Sequence, residues 1–165
     1  MLKYDLHCHS TASDGILSPT EVVLRAHEKG VNVLALTDHD TVAGVAEARQ
    51  QAETLGMRLI NGVEISTLWE NRSIHIVGLG FDISHEKMTA LLAEQAKLRE
   101  IRAQEIGAKL EKIGVENAYV EAKKLAGNGE VTRAHYARHL VQIGKVSNDG
   151  QAFKRYLGQG KSAYV

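Results

Sequence analysis

Histidine and carboxylate side chains recur at four strand-like segments in the first 82 residues. That recurrence restricts the chain to folds in which several strand ends meet. The first segment, Lys3–His9, closes on Asp5-Leu6-His7-Cys8-His9. Alternate side chains of a strand share a face, so Asp5, His7 and His9 should point one way and Cys8 toward the core. Imidazoles two residues apart lie about 7 Å apart along a strand and can converge on one cation. His-x-His by itself is weak support for a metal site, because many such pairs are incidental. Here Asp14 follows in Ser13-Asp14-Gly15, and Val33–Leu36 runs into Thr37-Asp38-His39-Asp40. A third segment begins at Arg58 and reaches Gly62-Val63-Glu64-Ile65-Ser66, and a fourth, Ile74–Leu79, carries His75. Three of the four place these residues at or just past the C-terminal end, where parallel sheets and α/β barrels build their sites. A lone histidine in a strand is usually a satisfied core or edge residue. Six residues so placed, His7, His9, Asp14, His39, Glu64 and His75, read instead as one metal site. Imidazole with carboxylate suits borderline transition metals and not calcium.

The connections support an α/β fold. Ser18-Pro19-Thr20-Glu21 predicts a helix start with serine at the N-cap, proline at the first helical position and glutamate at the capping-box position. That helix should run to about Lys29 and close at Gly30, and a second should run from Val42 to Leu55 and close at Gly56. The β-α-β-α-β rhythm predicts a parallel sheet or barrel. The character changes at Ser84, where a long run of good helix formers reaches Ile113. Further helices are expected at Asn117–Ala126, Arg133–Ile143 and Asn148–Leu157. The chain therefore divides into residues 1–82, which hold the metal site, and a helical segment, residues 83–165.

A single cysteine, Cys8, excludes an internal disulfide and a CxxC zinc site. No apolar run approaches the ~18–20 residues needed to span a bilayer, and the N-terminus lacks the basic-then-apolar signal pattern. A cytoplasmic location is expected. The formal net charge is zero, yet Arg133, Arg138, Lys145, Lys154, Arg155 and Lys161 face only Asp149 between residues 133 and 165. Tyr136, Phe153, Tyr156 and Tyr164 are interleaved with them. Such a stretch can face nucleic acid. A solvated helical surface over core aromatics is the more ordinary reading.

Asp5-Leu6-His7-Cys8-His9-Ser10, Ser13-Asp14-Gly15, Leu36-Thr37-Asp38-His39-Asp40-Thr41, Gly62-Val63-Glu64-Ile65-Ser66 and His75-Ile76 resemble, in order and spacing, the successive motifs of the PHP (polymerase and histidinol phosphatase) family. The helical segment, through Val131-Thr132-Arg133-Ala134-His135, resembles the insertion of the subfamily that includes nucleoside 3′,5′-bisphosphate phosphatases and 5′-3′ exoribonucleases. The resemblance implies the N-terminal part of a distorted (β/α)7 barrel and up to three divalent ions, manganese first, with zinc, iron or magnesium as alternatives. It implies that His7 and His9 hold one ion, that Glu64 bridges it to a second held also by His75, and that Asp14 and His39 hold the third. Asp14 stands where some branches of the family have histidine, which favours a harder third site. The implied activity is hydrolysis of phosphate esters of nucleotides or RNA 5′ ends through a metal-bound hydroxide, with Arg133 and His135 as catalytic contacts and Asp38 orienting a ligand histidine. The family's later ligands, a histidine and an Asp-x-His, do not follow residue 82, so the chain reads as truncated at its C-terminus. Alternatives are a metal-binding fragment or accessory domain without its own activity, or an amidohydrolase, although no lysine ligand stands at a strand end. Oligomeric state is not legible.

Overall fold

The computed structural model describes residues 1–70 and 72–165. They form two compact units, Met1–Ala96 and Lys97–Val165.

In the first unit the strand β1 (Tyr4–Cys8) leads through helix α1 (Pro19–Glu28) to β2 (Val33–Leu36), and α2 (Val45–Thr54) leads to β3 (Arg58–Trp69). These three strands are parallel neighbours, as the rhythm predicts. The predicted capping box is present: Glu21 N donates to Ser18 Oγ at 3.2 Å and Ser18 N to Glu21 Oε2 at 2.7 Å. Helix α2 starts later than its sequence suggests, because Val42–Gly44 form a turn before it. All four residues of β2 are buried. Leu34 and Leu36 pack with Val23 and Val45 in the core beneath the helices, and Cys8 packs against the same core, as strand alternation requires.

The fourth strand departs from the parallel pattern. β3 extends to Trp69, and β4 (Arg72–Leu79) returns antiparallel along its whole length, from Gly62↔Leu79 to Trp69↔Arg72. So short a connection cannot make the crossover that a parallel neighbour needs. Ser66–Trp69 and Arg72–Ser73 lack the apolar run by which a buried strand is recognised, so the hairpin arm is longer than the sequence suggests. Glu64 therefore lies within β3 rather than at its end. It still sits at the edge of the parallel portion, because β2–β3 pairing stops at Leu36↔Asn61 and only a bridge between His39 and Glu64 continues it.

Helix α3 (Glu86–Glu111) runs from the first unit into the second. The second unit continues with α4 (Ala118–Ala126), α5 (Arg133–Gln142), α6 (Asp149–Ala152) and a π-helical turn, Phe153–Leu157, around a core that includes Ile106, Leu110, Tyr136, Leu140 and Leu157. The single helix expected over 148–157 is thus a short α-helix finished by a π-turn. No helix among the described residues is long and apolar enough to cross a membrane.

Candidate metal centre

The loop after β1 is built around a buried carboxylate. Asp38, 1% exposed, accepts from Ser10 N at 2.7 Å, Ser10 Oγ at 2.7 Å and Ser13 Oγ at 2.6 Å. Its oxygens accept from Ser10 and Ser13 rather than directly from a histidine. Asp38 holds the segment that carries His9 and Asp14. Gly15 closes that segment, and a Cβ there would stand 2.6 Å from the His9 carbonyl oxygen. Strand β1 reaches it through an irregular register, an advance of three positions along β1 (Asp5 to Cys8) matching two along β2 (Leu34 to Leu36). Such a bulge re-aims the side chains beyond it. Asp5 consequently takes no place in the cluster, although strand alternation put it on the same face as His7 and His9.

His39 is fixed from the other side. Asp40 N donates to Glu64 O at 3.0 Å, Glu64 N donates to Asp38 O at 3.1 Å, and Asp40 Oδ1 accepts from Ser66 N at 2.7 Å. Asp40 adopts a left-handed φ of 54° while buried. A non-glycine residue keeps such a conformation only where its surroundings impose it, and these cluster at functional sites. Gly62 lets β3 approach β2, since a Cβ there would stand 2.5 Å from the Leu36 carbonyl oxygen. On the β3–β4 ladder Ser66 pairs with His75, so Glu64, two residues earlier, is the diagonal neighbour of His75 on the same face.

These supports bring the six predicted residues together around Glu64. Glu64 Oε2 lies 3.0 Å from His7 Nε2, 3.1 Å from His9 Nε2 and 3.5 Å from His39 Nδ1, and Oε1 lies 3.1 Å from His75 Nδ1. His7 Nε2 and His9 Nε2 are 3.2 Å apart. Asp14 stands 3.5 Å from both His9 Nδ1 and His39 Nε2. Three groups have donor atoms close enough to share an ion: His7–His9–Glu64, His9–Asp14–His39 and His39–Glu64–His75. Each pair of groups shares one residue. A carboxylate bridges two cations readily through its two oxygens, so Glu64 is the natural common ligand.

The donor set fits divalent cations. His9 Nδ1 and His39 Nδ1 are buried without a hydrogen-bond partner. Unpaired buried polar atoms are costly, and a bound ion is one explanation for them. Burial, and then the neighbouring charge of His39, lower the pKa of His9, which favours the neutral ring that ligates. Burial opposes ionisation of Asp14, but the hydrogen bond and charge of His39 and the charge of His9 outweigh it and hold the carboxyl at about 2. Glu64 is likewise lowered: burial resists, and the hydrogen bond from His7 with the charges of His39, His9 and His7 prevails. Cys8 is no candidate ligand. Burial, then the charges of Asp5 and Asp38, push its thiol up to about 12, and Sγ donates to Ala35 O at 3.3 Å.

A pH dependence follows from these directions. Ligation requires ionised carboxylates and neutral imidazoles. Both carboxyls stay ionised well into acid, so protons compete through the imidazoles. His9, being lowered, resists that competition longer than an ordinary histidine near 6.5. Metal held by the groups that contain His9, followed by equilibrium dialysis, should be lost on acidification and retained in alkaline solution. A midpoint in alkaline solution would contradict this.

Arg133 and His135 belong to the second unit. Arg133 opens α5, its guanidinium carbon 5.4 Å from the centre of the Tyr164 ring. His135 is 2% exposed, and its Nδ1 accepts from Thr132 N at 3.0 Å in a capping box. That bond assigns the proton of a neutral His135 to Nε2. The box escaped sequence reading because its third helical position carries histidine where the usual signature has glutamate or glutamine.

Comparison with known proteins identifies a family and several relatives. The model of the PHP domain matches residues 5–104. A 5′-3′ exoribonuclease of Haemophilus influenzae is 74% identical over 163 residues, 99% of this chain and 59% of that protein. A 3′,5′-nucleoside bisphosphate phosphatase of Chromobacterium violaceum is 43% identical over 166 residues, all of this chain and 58% of that protein. A solved structure from the same organism, described as an amidohydrolase with bound sulfate and no metal, superposes with a TM-score of 0.94 at 43% identity, over 99% of this chain and 58% of that one. The chain thus spans less than three-fifths of the length of these proteins.

Proposed function

The chain belongs to the PHP-domain family, and from that membership we propose that it is the metal-holding part of a phosphoesterase acting on nucleotides or RNA 5′ ends. The observation that carries this reading is the convergence of four imidazoles on the two oxygens of Glu64, with Asp14 completing a third group. Residues 1–82 act as the first part of the barrel and residues 83–165 as its helical insertion. His7, His9 and Glu64 hold one ion, Glu64 and His75 a second with His39 at hand, and Asp14 and His39 a third. Manganese is proposed first from the family resemblance, with zinc, iron or magnesium as alternatives, and imidazole with carboxylate suits a borderline transition metal. Ions bound there supply Lewis-acid activation of water and neutralisation of phosphoryl charge.

The chain's own residues do the rest. Asp38 keeps the Asp14 loop in place through Ser10 and Ser13. Asp40 keeps His39 against β3. Arg133, at the N-terminal turn of α5, and His135 beside it are the proposed catalytic contacts to phosphate. The positive end of a helix suits an anion, which supports the role of Arg133. The preference for nucleotides or RNA ends draws on the activities named for the exoribonuclease and bisphosphate phosphatase relatives. The protein acts in the cytoplasm. The amidohydrolase reading lacks a candidate ligand lysine, since none stands at the C-terminal end of β1, β2, β3 or β4.

The test, made on a full-length form of the protein, is phosphate release from adenosine 3′,5′-bisphosphate and from a 5′-phosphorylated oligoribonucleotide, by wild type and by His39→Ala. His39 belongs to two of the three groups, so the variant should lose at least about a hundredfold in rate. Equal rates would remove the proposal.

A further inference from the structure

The second unit carries a group of exposed cations that the metal centre does not use. Lys145, Lys154, Arg155 and Lys161 are exposed and have no ion-pair partner among the described residues. One exposed acid, Asp149, accompanies them between residues 133 and 165. The backbone gathers part of this set. Gly158 N donates to Phe153 O at 2.8 Å and Lys161 N to Gly158 O at 3.0 Å, which returns Lys161 to the π-turn bearing Lys154 and Arg155. Tyr164 N donates to Lys161 O at 3.1 Å, and the Tyr164 ring lies under the Arg133 guanidinium. Aromatics accompany the cations. Tyr136 is core, but Phe153 is 37% exposed on the turn itself. π-turns are rare and often mark functional sites.

We propose that this face, Phe153-Lys154-Arg155 with Lys161, binds single-stranded RNA, the body of a substrate whose end is hydrolysed elsewhere on the protein. The inference rests on the phosphoesterase reading for the identity of the occupant. Unpaired cations beside an exposed aromatic match the two parts of single-strand recognition, a backbone charge track and a stacking platform. An anionic membrane fits less well, because surface binding uses a helix with a broad apolar face, and this turn has five residues.

Binding is measured with a short oligouridylate bearing a 5′-phosphate, by fluorescence anisotropy in EDTA so that nothing is cleaved. Lys154→Ala/Arg155→Ala/Lys161→Ala should raise Kd at least about tenfold and lower the salt slope by about 2, as three lost phosphate contacts on a single strand require. Phe153→Ala should raise Kd about tenfold with the salt slope unchanged. Both variants should release phosphate from adenosine 3′,5′-bisphosphate at the wild-type rate. Kd within twofold of wild type in the triple variant overturns the proposal, as does parallel loss of small-substrate turnover. Binding to phosphatidylglycerol vesicles without binding to oligouridylate also overturns it. A full-length wild type that hydrolyses neither substrate removes the phosphoesterase reading, and the metal-free binding data then still decide the RNA face.

Discussion

Glu64→Gln should leave the protein folded but retaining only the metal that His9, Asp14 and His39 bind without it. The carboxylate takes part in two of the three ligand groups, and its two oxygens lie within 3.1 Å of nitrogens on His7, His9 and His75. Glutamine keeps the shape and one acceptor oxygen but removes the charge, and it places an amide N–H₂ where a second acceptor stood. The groups His7–His9–Glu64 and His39–Glu64–His75 both lose their only anion. Phosphate release should fall by about a thousandfold, in line with the several kcal/mol that a catalytic cation supplies. Metal content by elemental analysis and steady-state rates check the two halves separately. A variant with the full wild-type metal complement would show that Glu64 is not the common ligand.

Asp38→Ala should cause the largest loss of stability. The carboxylate is almost fully buried and satisfies a backbone N–H and two hydroxyls. Hydrogen bonds to a charged group contribute about 1.5–3 kcal/mol each, and their donors are left unpaired when the acceptor goes. A net loss of about 3–5 kcal/mol is expected, in the range of the most damaging single substitutions. For a chain of this length that is a fall of roughly 10 °C in Tm. Ser13→Ala removes one of the three donors and should cost about 1–2 kcal/mol. Melting in EDTA isolates the effect from metal binding. An unchanged Tm with lost metal would instead make Asp38 a ligand.

The six cluster residues were legible because their signal is local. His-x-His at a strand end, and acids or histidines just past successive strands, need only the strand period and the habit of α/β folds to be read. What could not be read depends on where loops travel. Asp38 precedes a ligand histidine, which suggested that it orients one, yet the path of the chain delivers Ser10 and Ser13 to its oxygens instead. Asp5 shared a face with His7 until the bulge in β1 redirected the strand, and nothing in Asp5-Leu6-His7-Cys8 announces a bulge. The β3–β4 hairpin was under-read because its outer arm is polar. Glu105 and Lys109 have the spacing of a helical ion pair, but Lys109 Nζ donates to Tyr164 O at 2.6 Å, a partner 55 residues away.

All six donors of the centre lie in Met1–Ala96. A polypeptide made from its amino end therefore exposes every one of them before the helices of α4 and α5 have been synthesised. Units tend to fold in the order in which they are made, and a site that gains a metal gains folding free energy with it. Ion capture can thus template the nascent sheet, drawing β1 and the β3–β4 hairpin onto one point while the rest of the chain is still being assembled.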